Sequence, residues 1–455
     1  MERQLATLLF AAELIKNEGK IFVLIAISTS WEMNMLTRTL ALGLTWLFLL
    51  SSVLFAEDWS QFRGPHGNGF ADAKSVPTRW SPEENILWKA KLPAPGNGSA
   101  ILVKHRVFVT SAENAEGTKR SLICIDANIG EELWRKTVSI EKMPTHKTNP
   151  YAGSTPASDG KTVVVWHASA GLHCYDMNGT EVWNRDFGPF SHMWGYGTSP
   201  LIHGDKVILH TGPGKKVMVM ALQLQDGKTI WEQQEPVESN GETNEDKKYM
   251  GSWSTPIFHR AENRTLAIVP LATRVNAYDV ETGDIRWTCS GVRHNGGDLA
   301  YSSAVIAGDT CFFTAGYSGP TLGIKLGGEG DVTESHRLFR MEKSPQSIGT
   351  GVAIDGFVYR PNAGPATIQC IDAKTGKEKW KSRGGGENYW GSIFSVGGLL
   401  YATDQSGVTV IFKPNPNEFE LVAENRLGEA TNATPAVAEG KLFFRTNNNL
   451  TCVGK

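Results

Sequence analysis

The chain has 455 residues, with 45 Lys and Arg against 47 Asp and Glu, for a formal net charge of −2. A balance this close to neutral excludes the basic footprint of a nucleic-acid-binding protein and the acidic run of a polyanionic tail. The length exceeds one ordinary domain, and 48 Gly with 14 Trp suit an array of tight turns carrying a repeated large aromatic.

Residues 1–34 hold a loosely apolar stretch over 21–28 without a packing pattern and read as a candidate mis-annotated extension, with Met33 or Met35 as alternative starts. Arg38, the apolar run 40–55, and Ala56 followed by Glu57 and Asp58 have the layout of a secretory signal peptide over 35–56. Leu54 is bulky for the position two before that cut, so an uncleaved membrane anchor is the alternative. Either way the chain is expected to be exported, to the periplasm or cell surface, with membrane contact only through this segment. Residues 57–85, which contain the turn-rich run from Trp59 to Gly69, read as a capping segment. Ile86-Leu87-Trp88-Lys89 then stands as a Trp-bearing strand with no partner before it.

From there a hairpin recurs. Cys370-Ile371-Asp372 leads to Thr375-Gly376 and Trp380, and Ala277-Tyr278-Asp279 leads to Thr282-Gly283 and Trp287. The same order runs from Cys124 through Asp126 and Gly130 to Trp134, and from Cys174 through Asp176 and Gly179 to Trp183. Ala221 to Gly227 and Trp231 has Gln223 in the Asp place. The Asp side chain accepts from backbone N–H groups two residues on, Gly supplies positive φ, and the Trp gives a broad flat surface for the neighbouring sheet. Cysteine exchanges with alanine at one position, so Cys124, Cys174, Cys370 and Cys452 read as small core residues. No C-x-x-C or Cys/His cluster suggests a structural zinc.

An innermost strand opens each unit, starting as in Ser154-Thr155-Pro156, Thr198-Ser199-Pro200 and Ser254-Thr255-Pro256. Gly-Asp or Asp-Gly turns and alternating apolar strands follow. Eight units result, at 99–136, 153–186, 197–235, 252–290, 301–340, 349–383, 391–425 and 432–455, the last lacking a Trp strand that 86–92 supplies. Units 301–340 and 391–425 have no Trp. Dividing 88–455 among eight gives about 46 residues each, within the ~40–50 of a four-stranded blade. The fold expected is all-β, an eight-bladed propeller of antiparallel blades closed by its own two ends, with seven as the alternative count.

The Ala/Cys, Asp, Thr-Gly, Trp pattern resembles the tryptophan-docking repeat of the pyrroloquinoline quinone (PQQ)-like β-propellers over about 86–455. That family includes quinoprotein alcohol dehydrogenases and the outer-membrane β-barrel assembly propeller. As the resemblance implies, a dehydrogenase would hold PQQ between a Trp and a disulfide of adjacent cysteines, with calcium and an Asp base. This chain has no adjacent cysteines and no C-x-x-C-H. Asp404 and Asp309 are the candidate bases, and both sit where turn aspartates belong. Gly316-Tyr317-Ser318-Gly319 lacks the spacing of a nucleophile elbow. His167 and His173 could approach across a hairpin as a metal pair, although each reads more simply as a lone structural histidine.

In a propeller of this type, the loops leaving each Trp strand and those joining second to third strands open on one face. Those loops carry Trp194, Tyr196, Trp253, Tyr301 and Trp390, and, in the second set, Arg274, Arg360 and Arg445. Flat aromatic area with a few orienting charges suits a ligand or peptide site. The reading is a non-enzymatic binding or scaffold propeller with a protein, small-molecule or glycan ligand and no nucleic-acid partner. A PQQ- and calcium-dependent oxidoreductase and a carbohydrate-binding propeller are the alternatives, so whether the chain is an enzyme stays open at this stage.

Overall fold

The computed structural model describes residues 58–455 together with the strands Ala12–Asn17 and Lys20–Ile25. Those two strands pair with each other as an antiparallel hairpin. The signal segment 35–56 lies outside the described residues, as does the rest of 1–34. No helix among the described residues is long and apolar enough to cross a membrane.

Eight antiparallel sheets of at least four strands follow one another as blades. Blade 1 consists of Ile101–Val103, Arg106–Ala112, Lys119–Asp126 and Glu132–Ser139. Blades 2 to 7 repeat the order across 157–185, 201–234, 257–290, 305–341, 352–382 and 394–426. Blade 8 combines the last three strands of the chain with Ile86–Lys91, placing Cys452 opposite Trp88 and Val453 opposite Ile86. This closure leaves no terminal sheet edge and makes the two ends mutually dependent.

The turn chemistry is the one the sequence implies. Asp126, Asp176, Asp279 and Asp372 each accept two backbone N–H groups from their own turn. Gly130, Gly227, Gly283 and Gly376 have φ between +71° and +78°. A second reason for glycine lies in the neighbouring blade. The Trp231 ring lies so close over Gly283 that a Cβ there would sit 2.5 Å from it, and Trp88 and Trp183 press on Gly130 and Gly227 in the same way. The indole N–H then donates to the carbonyl just after the turn Asp position. Trp88 reaches Ala127, Trp134 reaches Met177, Trp183 reaches Leu224 and Trp231 reaches Val280, all at 2.7–3.0 Å. Trp380 reaches Asn415 at 2.8 Å.

Cross-strand pairing explains the Cys/Ala exchange. Cys124, Cys174, Cys370 and Cys452 face Trp134, Trp183, Trp380 and Trp88, while Ala221 and Ala277 face Trp231 and Trp287. Only a small residue fits opposite an indole at close-packed density. In blade 5, Phe339 takes the Trp place opposite Gly323 and packs on Gly376. In blade 7 the sizes invert, with Ile411 opposite Ala423.

Residues 58–85 cross the ring on the face of the first-to-second-strand turns. The Trp59 carbonyl accepts from Leu102 N–H in blade 1, the Ser60 carbonyl from Ser158 N–H in blade 2, and Gln61 Oε1 from Ile202 N–H in blade 3. Arg63 then bonds Gly351 O in blade 6, and Phe70–Ala71 adds a parallel strand inside blade 7. The segment thus pairs inner strand edges that would otherwise leave backbone groups unsatisfied.

Candidate functional site

On the opposite face the loops entering each inner strand surround a cavity of about 290 Å3. Its lining includes Phe62 from the crossing segment, so the channel is stopped from below rather than open through. The lining is mainly aromatic, hydroxyl and amide, with one imidazole, that of His146, whose Nδ1 meets the Thr148 hydroxyl at 2.8 Å; among the described residues no Asp, Glu, Lys or Arg contributes to it.

A belt of eight hydroxyl residues, one per blade, forms the throat: Ser99, Thr155, Ser199, Thr255, Ser303, Thr350, Ser392 and Thr434. The backbone N–H of each donates to the hydroxyl oxygen of the next at 2.9–3.1 Å, from Ser99 round to Thr434 and back to Ser99. The one exception is the step from Thr255 to Ser303, where the Ser303 hydroxyl donates to Thr255 O at 2.7 Å. This belt ties neighbouring blades together at the axis. It also uses the hydroxyl oxygens as acceptors and leaves the hydroxyl protons of Ser99, Thr155, Thr255, Thr350, Ser392 and Thr434 without a protein acceptor, on residues that line the cavity. The hydroxyl heading nearly every inner strand was the sequence signal for this belt, but it reads there only as a strand start.

One wall is a connected aromatic cluster. Trp194 packs on Tyr249 at 4.6 Å, Trp253 at 5.8 Å and Tyr317 at 5.6 Å between ring centroids, and Trp253 meets Tyr301 at 5.5 Å. Trp253 is fixed by its indole N–H donating to Gly195 O at 3.0 Å. Tyr317 and Ser318 both have positive φ, +49° and +57°, in a turn closed by Gly319 N–H to Gly316 O at 2.9 Å. Such turns normally carry Asn-Gly. Two L side chains there cost on the order of 1–2 kcal/mol each. Backbone strain of this kind clusters at functional sites, and here it aims Tyr317 edge-on at Trp194.

The facing side is polar. Asn432 donates to Asn97 Oδ1 at 3.2 Å, Asn97 donates to Asn149 Oδ1 at 3.2 Å, and Asn149 donates to Trp194 O at 2.7 Å. Trp390 lines the cavity with no ring partner and no acceptor for its indole N–H.

Of the eight side chains expected at the mouth, Trp194, Trp253, Tyr301 and Trp390 line the cavity and the other four do not. Tyr196 is buried, its hydroxyl donating to Tyr151 O at 2.6 Å. Arg274 pairs with the buried carboxylate of Glu235 at 2.7 Å. Arg360 lies mid-strand in Phe357–Ala363 and donates to Gln369 Oε1 at 2.7 Å and to Thr321 inside the blade stack. Arg445 donates to the carbonyls of Gly98 and Ala152 at 3.0 and 3.2 Å. Burial lowers Arg360 and Arg445 to about 9, which leaves both charged at neutral pH. They are inter-blade clamps, not ligand groups.

Asp404 is buried and saturated: its carboxylate accepts from the N–H groups of Gly386, Glu387, Ser406 and Val408 and from the Ser406 hydroxyl. It pins the loop that carries Trp390 and has no free lone pair for a base. Asp309 is exposed and pairs with Lys374 at 3.4 Å. His167 and His173 do approach, at 6.1 Å between centroids, but both nitrogens of His173 are taken, by Glu181 and Ala170 O. Among the described residues no cluster of three or more His, Cys, Asp or Glu could hold a metal. The lining does not suit PQQ with calcium, since it offers no carboxylate to a hard cation and no cysteine. All six cysteines are free and buried.

Blades fastened by aromatic-on-glycine contacts and sealed by the chain's two ends define the PQQ-like repeat propellers. Residues 118–382, more than half of the chain, match the family described as outer membrane protein assembly factor BamB, and the chain belongs to that family. No curated protein matches the sequence. Among solved structures, BamB from Moraxella catarrhalis is similar at 16% identity and a TM-score of 0.57, covering 81% of this chain and 99% of that one. The quinohemoprotein alcohol dehydrogenase from Comamonas testosteroni is similar at 12% identity and a TM-score of 0.61, covering 90% and 82%. A europium-containing methanol dehydrogenase gives 12% identity, a TM-score of 0.58, and 85% and 89% coverage. At these identities the likeness is one of fold.

Proposed function

We propose that the chain is an exported, non-catalytic binding propeller that holds a ligand or a protein partner's tip in the cavity at its channel mouth, in the periplasm or at the cell surface. The observation that carries this is the cavity itself: a stopped recess lined by no Lys, Arg, Asp or Glu, with aromatic area already packed in place and polar groups left without protein partners. Preformed rings lose little entropy on binding, so contact area converts efficiently to affinity. The family description, an assembly factor, supports a binding role. The dehydrogenase neighbours supply the fold, while the lining here lacks the donors that PQQ and calcium need.

The test compares wild-type protein with the Trp194→Ala/Trp390→Ala double variant as bait for cell-envelope extract, with small molecules and proteins both analysed. Material retained by wild type and lost from a folded double variant supports the reading; identical retention by both refutes the mouth as the site. Cell fractionation with N-terminal sequencing reads out export, with Glu57 as the expected mature N-terminus.

A further inference from the structure

The lining residues distinguish among ligand chemistries. No Lys or Arg lines the cavity, Arg360 and Arg445 are held by other groups, and the one lining imidazole, His146, has its Nδ1 engaged by Thr148, so an anionic ligand would lose its hydration without gaining a permanent positive charge. No carboxylate is present to neutralise an amine. A quaternary ammonium could use aromatic faces alone. Here, however, the rings of Trp194, Tyr249, Trp253 and Tyr317 spend their faces and edges on one another, forming a wall rather than a cage. What remains unpaired is a set of neutral groups that can donate: the belt hydroxyls, the indole N–H groups of Trp194 and Trp390, and the Gln346 side-chain amide.

We infer that the ligand is a neutral saccharide, and this rests on the mouth cavity being the binding site. A pyranose has an apolar face of C–H groups and an equator of hydroxyls that both donate and accept. The unoccupied ring of Trp390 matches the face, and the belt with its amides matches the equator. The cavity is at the small end of the range for ligand sites and Phe62 stops it from below. It therefore takes a free sugar or the terminal unit of a glycan, not the interior of a threaded chain.

Trp390 provides the test because, among the described residues, its ring packs on no other ring and its indole N–H has no acceptor. Intrinsic fluorescence titration and calorimetry of the full-length chain are run with neutral mono- and disaccharides, the matching uronic acids, tetramethylammonium chloride and short neutral peptides. A glycan array is run beside them. Neutral sugars are expected to bind at least tenfold tighter than uronic acids. Trp390→Ala should weaken binding at least tenfold with an unchanged melting temperature, and Trp390→Phe should restore most of it. Binding on the array but not to free sugars identifies a glycan terminus; binding to both identifies a free saccharide. Cavity-dependent binding of tetramethylammonium or peptide, with sugars inert, overturns the saccharide inference and leaves the binding site standing. If the site binds nothing in a Trp390-dependent way, both fall.

Discussion

Replacing Gly283 by alanine, with Gly356→Ala as its control, separates two reasons for glycine in this fold. Both residues have φ near +80°, so each alanine meets the same left-handed backbone penalty of about 1–2 kcal/mol. Around Gly356 nothing lies within 4 Å of the new methyl group, whereas at Gly283 it would meet Trp231 ring atoms at 2.5, 2.6 and 2.8 Å. The indole cannot bend away. It must lift off blade 4, at about 1–3 kcal/mol for overpacking, and release its 2.9 Å bond to Val280 O, at about 1 kcal/mol. Gly283→Ala should therefore cost about 3–6 kcal/mol against about 1–2 for Gly356→Ala. Urea unfolding followed by far-UV circular dichroism measures both, provided each curve is a single transition with a common m-value. Equal losses would refute the idea that the neighbouring tryptophan, and not the turn alone, selects glycine.

Other predictions use the same contacts. Trp231→Phe should lose about 1 kcal/mol more than Trp287→Phe, because the Trp287 indole N–H is buried without a partner and its removal strands nothing. Burial holds His210 neutral with its pKa lowered to about 4, against about 6.5 when unfolded. The unfolded chain therefore binds the extra proton first, and His210 erodes stability as pH falls from about 6.5 toward 4. Thermal unfolding should show His210→Gln recovering on the order of 2 kcal/mol of the loss between pH 7 and 5; an unchanged pH profile would count against a buried neutral ring. Thiol titration of native protein should find no reactive cysteine and reveal all six in denaturant. Burial pushes Cys124, Cys174 and Cys452 up to about 12 and Cys289 and Cys370 to about 11. Arg360→Ala should unfold the protein at lower urea and leave mouth-cavity ligands bound in the folded fraction, since its guanidinium bonds Gln369 and Thr321 and does not line the mouth cavity.

The repeat was legible because its causes are local. Asp372, Gly376 and Trp380 lie within one hairpin, and turn chemistry with a flat docking residue needs no distant information. The ring closure was legible too: a Trp strand without a partner at Trp88 and three strands without a Trp at the other end demand each other. Ala423 and Phe339 in the docking place were not visible, because only pairing against Ile411 and Gly323 reveals which residue faces inward.

The site divides along the same line. Sequence placed Trp194, Trp253, Tyr301 and Trp390 on one face because blade order alone determines which loops converge there. It put Arg360 and Arg445 at the mouth, whereas both side chains are buried and bonded between blades, because which face of a strand a side chain takes is decided by pairing with the neighbouring blade. The hydroxyl belt could only emerge from closure, since Thr434 and Ser99 are bonding partners solely because the ring brings the chain's end back to its start. By itself, then, the sequence determined the blade, its number and the seal, all properties of nearest neighbours. The tertiary structure alone decided that the channel is stopped by Phe62, that its arginines are spent between blades, and that no Lys, Arg, Asp or Glu faces the cavity, because those depend on residues that meet only around the closed circle.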